Sequence, residues 1–214
     1  MKQSNFTPKQ IHLFFLIIGV LVFIWSYINH YDTFGWLALV SLVLIGAVVF
    51  VSTYNKFTFS TFVYFFGLIW VIILLIGAKY TYSNNPLFDS ISELLNLSRN
   101  YYDRVGHFAQ GFVPFMVIKE FLYRKNILKP SKGSIFIILC MVLAFSAFHE
   151  LLEFGIAEIT NQPESYILDT QGQNWDTQWD MTLAMIGAFS SLFLVGKKHD
   201  KHIEIMKQKD SESE

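Results

Sequence analysis

Charge is what this sequence has least of. Asp, Glu, Lys and Arg make up 15% of the chain against 53% hydrophobic residues, whereas a soluble domain carries about a quarter charged residues. That shortfall excludes an ordinary water-soluble fold. The few charges nearly cancel, to a formal -1, and no Arg/Lys-rich patch with interleaved aromatics occurs, so nucleic acid is not an expected partner. Cysteine is down to one, Cys140. A single cysteine excludes an intrachain disulfide, and its place inside an apolar run predicts an inert core thiol. No Walker loop, dinucleotide glycine fingerprint, G-x-S-x-G elbow or internal repeat is present, which removes the commonest nucleotide and hydrolase signatures.

What the chain has instead is long apolar runs. Six are long enough, or nearly so, to cross about 30 Å of hydrocarbon at about 1.5 Å per residue: Ile11–Ile28, Gly35–Tyr54, Phe57–Lys79, Arg104–Tyr123, Ser134–Ile156 and Gln178–Gly196. The first is too long for a signal-peptide core and lacks a small-residue cleavage site, so it is read as an anchor. The expected fold is an all-α, polytopic membrane bundle of six transmembrane helices spanning residues 1–196. A charged tail follows at 197–214, expected to be solvated and partly disordered. With six spans, twelve Lys and Arg lie on the side of both termini and three on the other. The positive-inside rule therefore predicts cytoplasmic termini.

Between the third and fourth runs, Asn85-Pro86 has the form of a helix start, a capping Asn with Pro at the first helical position. Leu87, Phe88, Ile91, Leu94 and Leu95 then fall along one side, which predicts a short amphipathic helix on the outer membrane surface.

Against this apolar background a few ionisable residues stand out, each costing about 2.5 to 3.5 kcal/mol at membrane depth. FHELLEF, Phe148 to Phe154, puts His149 and Glu153 four residues apart on one helical face, with Glu150 beside them. The fourth run opens with Asp103, Arg104 and His107, and carries Gln110 one turn further on. Gly106, Ala109 and Gly111 offer a small-residue face to a neighbour, and Pro114 frees the carbonyl of Gln110. The sixth opens WDTQWD, pairing Trp175 with Trp179 and Asp176 with Asp180. The tryptophans suit a membrane-interface belt, while Asp103 and Asp176 have a bland explanation as helix caps. In the predicted topology all these acids and imidazoles gather at the outward face.

His107, His149, Glu153, Asp180, Asp176 and Asp103 form a mixed imidazole and carboxylate set that suits a divalent zinc, iron or manganese ion. HELLE is not the zincin HExxH, since Glu153 stands at the second His position. The same residues serve a metal-free alternative, proton exchange in acid–base catalysis or coupled transport, and a purely structural network is a third reading. The catalytic set expected from sequence is His107, His149, Glu153 and Asp180, with Arg104 as an anion clamp. The expected activity is that of a membrane-embedded enzyme, metal-dependent in one version, acting on a lipid or envelope precursor or a small anionic substrate. A small-solute or proton-linked transporter and a non-catalytic assembly protein are the alternatives. Below the cluster, IFIILCMVLAF and LAMIGAFSSLFLV are apolar, which favours a one-sided pocket; Lys119 and Glu120 keep transport open.

YDRVGHFAQGFVP (Tyr102 to Pro114), FHELLEF and LDTQGQNWDTQWDM (Leu168 to Met181) resemble the signature segments of the bacterial inner-membrane family typified by YjdF, a domain-of-unknown-function family. The resemblance implies a small multi-pass protein of the bacterial cytoplasmic membrane with no assigned activity. Where the family pattern ends its LGTQGD-like segment in Asp, this chain has Gln173 and Asn174, which weakens a carboxylate role there.

Overall fold

The computed structural model of the 214-residue chain describes residues 6–161, 171 and 173–212. Each apolar run becomes a helix, and side chains that satisfy the first backbone N–H groups set most of the starts. Thr7 opens α1 (Pro8–Tyr27) in a reciprocal box with Gln10, Asp32 caps α2 (Thr33–Thr53), and Ser60 caps α3 (Thr61–Tyr80). Asn85 caps α4 (Pro86–Leu95), with Pro86 in the first turn as the sequence predicts. Helices α5 (Tyr102–Arg124) and α6 (Lys132–Thr160) follow, α6 opened by Ser131. Asn96 and Asn161, both with positive φ, end α4 and α6 in the left-handed conformation that Asn tolerates. The last long helix runs as α7 (Asp176–Ser190), a π-helical turn (Ser191–Val195) and α8 (Gly196–Glu212).

Among the described residues, five helices are long and apolar enough to cross a membrane: α1, α2, α3, α6 and the continuous segment from α7 to α8. Helix α5 has the length, 23 residues, yet is too polar to join them. Its position explains the polarity. Phe121 is the only exposed residue of Tyr102–Arg124, because α5 runs through the middle of the molecule with α3 on one side and α6 and α7 on the other. A helix shielded by protein needs no lipid-compatible surface, so its polar groups can be spent on partners within the bundle.

The approach of α7 to α5 is closest of all. A Cβ on Gly111 would lie 1.6 Å from the Ala184 carbonyl oxygen, and one on Gly187 would lie 2.0 Å from that of Phe108. Backbone-on-backbone contact of this kind is how membrane helices pack without a hydrophobic driving force. It also brings the N-terminal halves of both helices, with their charges, side by side. Below them Phe115, Ile138, Val142 and Ala188 join α5, α6 and α7 in one apolar cluster, and Phe112, Val113 and Met116 join α5 to Val63 of α3.

Two expectations change. Cys140 is exposed on α6, not in the core; in a helix whose outer surface is as apolar as its inner one, hydropathy cannot say which side a small side chain takes. The C-terminal segment is not disordered through the described residues. It continues as α8, with His199 at 1% and Ile203 at 3% exposure. Lys197, Lys198, Lys201 and Lys209 lie on the outer face, while His199 and Ile203, one turn apart, dock against α5, and Asp200 and Asp210 pair with Lys119 and Arg124.

Candidate functional site

The charged residues that the sequence scatters between Arg99 and Asp180 meet at one end of α5, α6 and α7. Asp103 and His107 are one turn apart on α5, with His107 Nε2 3.3 Å from Asp103 Oδ1. Asp180 enters from α7, 3.7 Å from the same nitrogen. Ligand-capable atoms of Asp103, His107 and Asp180 all lie within 4.8 Å of one another, and all three residues are buried. On its other edge His107 Nδ1 faces Gln110 Oε1 at 3.0 Å and Glu150 Oε1 at 3.8 Å. Both ring nitrogens face oxygen atoms, so the imidazole can donate to one of them or share a metal cation with them.

Two arginines tie the cluster together. Arg104 donates from Nη1 to Asp180, from Nη2 to Asp176, and from Nη2 to Gln173 Oε1 at 2.8 Å. Arg99, in the loop before α5, donates from Nη1 to Asp176 and, at 2.7 Å, to Gln173 Oε1, while its Nη2 is 3.8 Å from Asp103. Asn100 and Gln171 exchange a pair of hydrogen bonds, 2.9 and 3.0 Å, that fasten this loop to the segment leading into α7. Asp103 and Asp176 are therefore not caps: Tyr101 and Trp175 hold the cap positions without side-chain hydrogen bonds, and both carboxylates lie inside the first turns, 3% exposed.

His149 and Glu153 form the rim. Their side chains are 3.5 Å apart and 17% and 20% exposed, and the His149 ring lies 5.8 Å from that of His107. Around them on α6, Phe148, Leu151 and Leu152 are exposed. Near the arginine edge, a hollow of about 450 Å³ is lined by Asp89, Glu93, Asn96, Arg99 and Asn100.

The balance of charge decides what the cluster can do. Arg99 and Arg104 pair with Asp103, Asp176 and Asp180, while Glu150 lies opposite His107 and Glu153 opposite His149, so five carboxylates share this end of the bundle with two arginines and two imidazoles. Glu150 Oε1 and Asp176 Oδ2 accept no hydrogen bond from the described residues. Carboxylates gathered out of water in such excess require further positive charge, from protons or from a metal ion. The donors are hard oxygens plus imidazole, which suits zinc, iron or manganese.

All six expected metal-binding residues come to this end of the bundle, in two groups: Asp103, His107 and Asp180 at the centre with Asp176 beside them, and His149 with Glu153 at the rim. Arg104, the expected anion clamp, donates from Nη1 and Nη2 to Asp180, Asp176 and Gln173 of the protein itself. Sequence reading missed Arg99, which it counted only as loop charge, and Gln173, which the family pattern would have had as an acid.

Residues 11–201 match the family described as predicted membrane protein, DUF2238. The chain belongs to the DUF2238 family. It is also 35% identical over 183 residues to the inner membrane protein YjdF of Escherichia coli strain K12, covering 86% of this chain and 88% of that one. No solved structure matches. The family and its inner-membrane relative agree with the apolar helices in making this a multi-pass membrane protein. The three segments that resemble the family's signatures supply much of the cluster: Asp103, Arg104 and His107 from the first, His149, Glu150 and Glu153 from the second, Gln173, Asp176 and Asp180 from the third.

Proposed function

We propose that the chain is a six-span inner-membrane enzyme with cytoplasmic termini, in which α5 is the shielded sixth span. Its outward-facing cluster binds one divalent metal ion and acts on a lipid or lipid-linked envelope precursor. The surplus of buried carboxylate over arginine carries this reading. Asp103, His107 and Asp180 would hold the metal, with Asp176 and Arg104 behind them. When bound, the metal supplies a Lewis acid that polarises a phosphoryl or carbonyl oxygen or activates a water. His149 and Glu153, within reach of each other at the open rim, are placed to move the proton that such a step releases. The rim is bordered by exposed Phe148, Leu151 and Leu152, a surface for acyl chains rather than for a soluble substrate. Helix α4, with Leu87, Leu94 and Leu95 exposed, would lie on the outer membrane surface and flank the hollow at Arg99.

Transport is the second reading, favoured by one observation: α5 carries another buried polar centre around Glu120. It lies thirteen positions from His107, about 20 Å along a helix, and Phe112, Val113, Phe115 and Met116 between them are buried and apolar. A permeation route needs polar groups along its length, so a one-sided site is the better account.

The test is to reconstitute the protein with bacterial lipid extract and follow the lipids by mass spectrometry, wild type beside His149→Ala. Metal-dependent conversion of a lipid class by wild type, reduced at least about 100-fold in the variant as for loss of a general acid–base group, is the expected result. Unchanged lipid profiles with metal-loaded, monodisperse wild type would remove the enzyme reading. Proton-coupled solute uptake by the same vesicles would favour transport.

A further inference from the structure

At the end of the bundle where α1 begins, the structure forms a second concavity, of about 420 Å³, between the start of α1, the end of α2, the turn into α3, and α8. Volumes of this order are typical of small-ligand sites. Lys9, His12, His202 and Lys209 line it, together with hydroxyl groups such as those of Tyr54 and Thr61, and among the described residues no Asp or Glu does. Its apolar wall includes Phe59, Ile205 and Met206.

The acids nearby are already engaged. Glu120 accepts from Ser60, Arg124 and His199, Asp210 accepts from Arg124, and Asp200 pairs with Lys119. Neither Lys9 nor Lys209 is paired with a carboxylate among the described residues. His12, 8% exposed, is held at its two ring nitrogens by Tyr54 Oη and Thr61 Oγ1, each 2.8 Å away, and not by an acid. The first turns of α1 and α3 also point their positive ends to this region.

We propose that this cavity binds a phosphate-bearing anion, with the headgroup between Lys9, Lys209 and His202 and the apolar part against Phe59, Ile205 and Met206. An anionic phospholipid fits best: α1 rises from the cavity with Leu13, Phe14, Leu16 and Ile17 exposed on its surface, so acyl chains leaving the site would run along a helix already apolar. The occupant touches both α1 and α8. It would therefore hold the C-terminal helix to the first one, independently of any chemistry at the opposite end of α5.

The test is saturable binding to detergent-purified full chain, read by intrinsic tryptophan fluorescence and thermal shift. The probes are short-chain phosphatidylglycerol, short-chain phosphatidylcholine and inorganic phosphate. Phosphatidylglycerol is expected to bind at least tenfold tighter than phosphatidylcholine, with affinity falling about fivefold for each lysine removed in Lys9→Gln and Lys209→Gln. Met206→Trp, which fills the cavity and leaves every charge in place, is expected to abolish binding. Inorganic phosphate that binds with the same lysine dependence and displaces phosphatidylglycerol would support the anion site and make its natural occupant a soluble phosphate. Equal binding of the two lipids, or binding indifferent to both lysines or to Met206→Trp, would overturn the proposal.

Discussion

The two ends of α5 are both buried and both charged, yet they are built on opposite principles. Around Glu120 the charges close on themselves. Its carboxylate accepts from the Ser60 N–H and hydroxyl at 2.6 Å each, from Arg124 at 3.0 Å and from His199 at 3.1 Å, while Lys119 meets Asp200 and Arg124 meets Asp210. Around His107 they do not close, since five carboxylates gather with only two arginines, which reach Asp103, Asp176 and Asp180, and two buried carboxylate oxygens go without a donor among the described residues. A closed network fixes helix positions and asks for nothing more. An open one is the place to look for a ligand, because buried surplus charge persists in a fold only when something compensates it.

The contrast breaks most visibly by mutation at the closed end. Glu120→Ala strands Arg124 and His199 in the interior and is expected to cost about 3 to 5 kcal/mol, as for other buried ion pairs that lose one partner. Thermal or denaturant unfolding in detergent would read this as a large loss of stability and as release of α8, detected by proteolysis near Gly196. The open end should respond in the other direction. Glu153→Gln removes one of the surplus charges and keeps the shape, so stability is expected to stay within about 1 kcal/mol of wild type or to rise. A loss at Glu153→Gln as large as at Glu120→Ala would mean that both ends are structural networks.

How much of this was legible in the sequence follows the range of the interactions. The helices, and the capped start of α4 at Asn85-Pro86, were readable because periodicity and caps are local. His149 and Glu153 were readable as a pair for the same reason, and the structure keeps them 3.5 Å apart. FHELLEF supplies the rim of the cluster rather than its dense part. The dense part lies between α5 and α7, where Arg104 reaches residues seventy-two and seventy-six positions away. The Glu120 centre was illegible on the same grounds, since Ser60 and His199 lie sixty and seventy-nine positions from it. One missed element did leave a local signal. In α8, His199 and Ile203 recur one turn apart within an otherwise charged stretch, the mark of a helix with one buried stripe, and the high charge of the tail obscured it.

The central claim is that only the open end takes a metal ion. Elemental analysis of detergent-purified, monodisperse protein tests it directly, comparing wild type with Asp180→Asn at the open end and Asp210→Asn at the closed one. About one equivalent of zinc, iron or manganese in wild type and in Asp210→Asn, lost in Asp180→Asn, is the predicted result. Wild type without metal after growth and purification in metal-supplemented medium, or metal retained in full by Asp180→Asn, would contradict it.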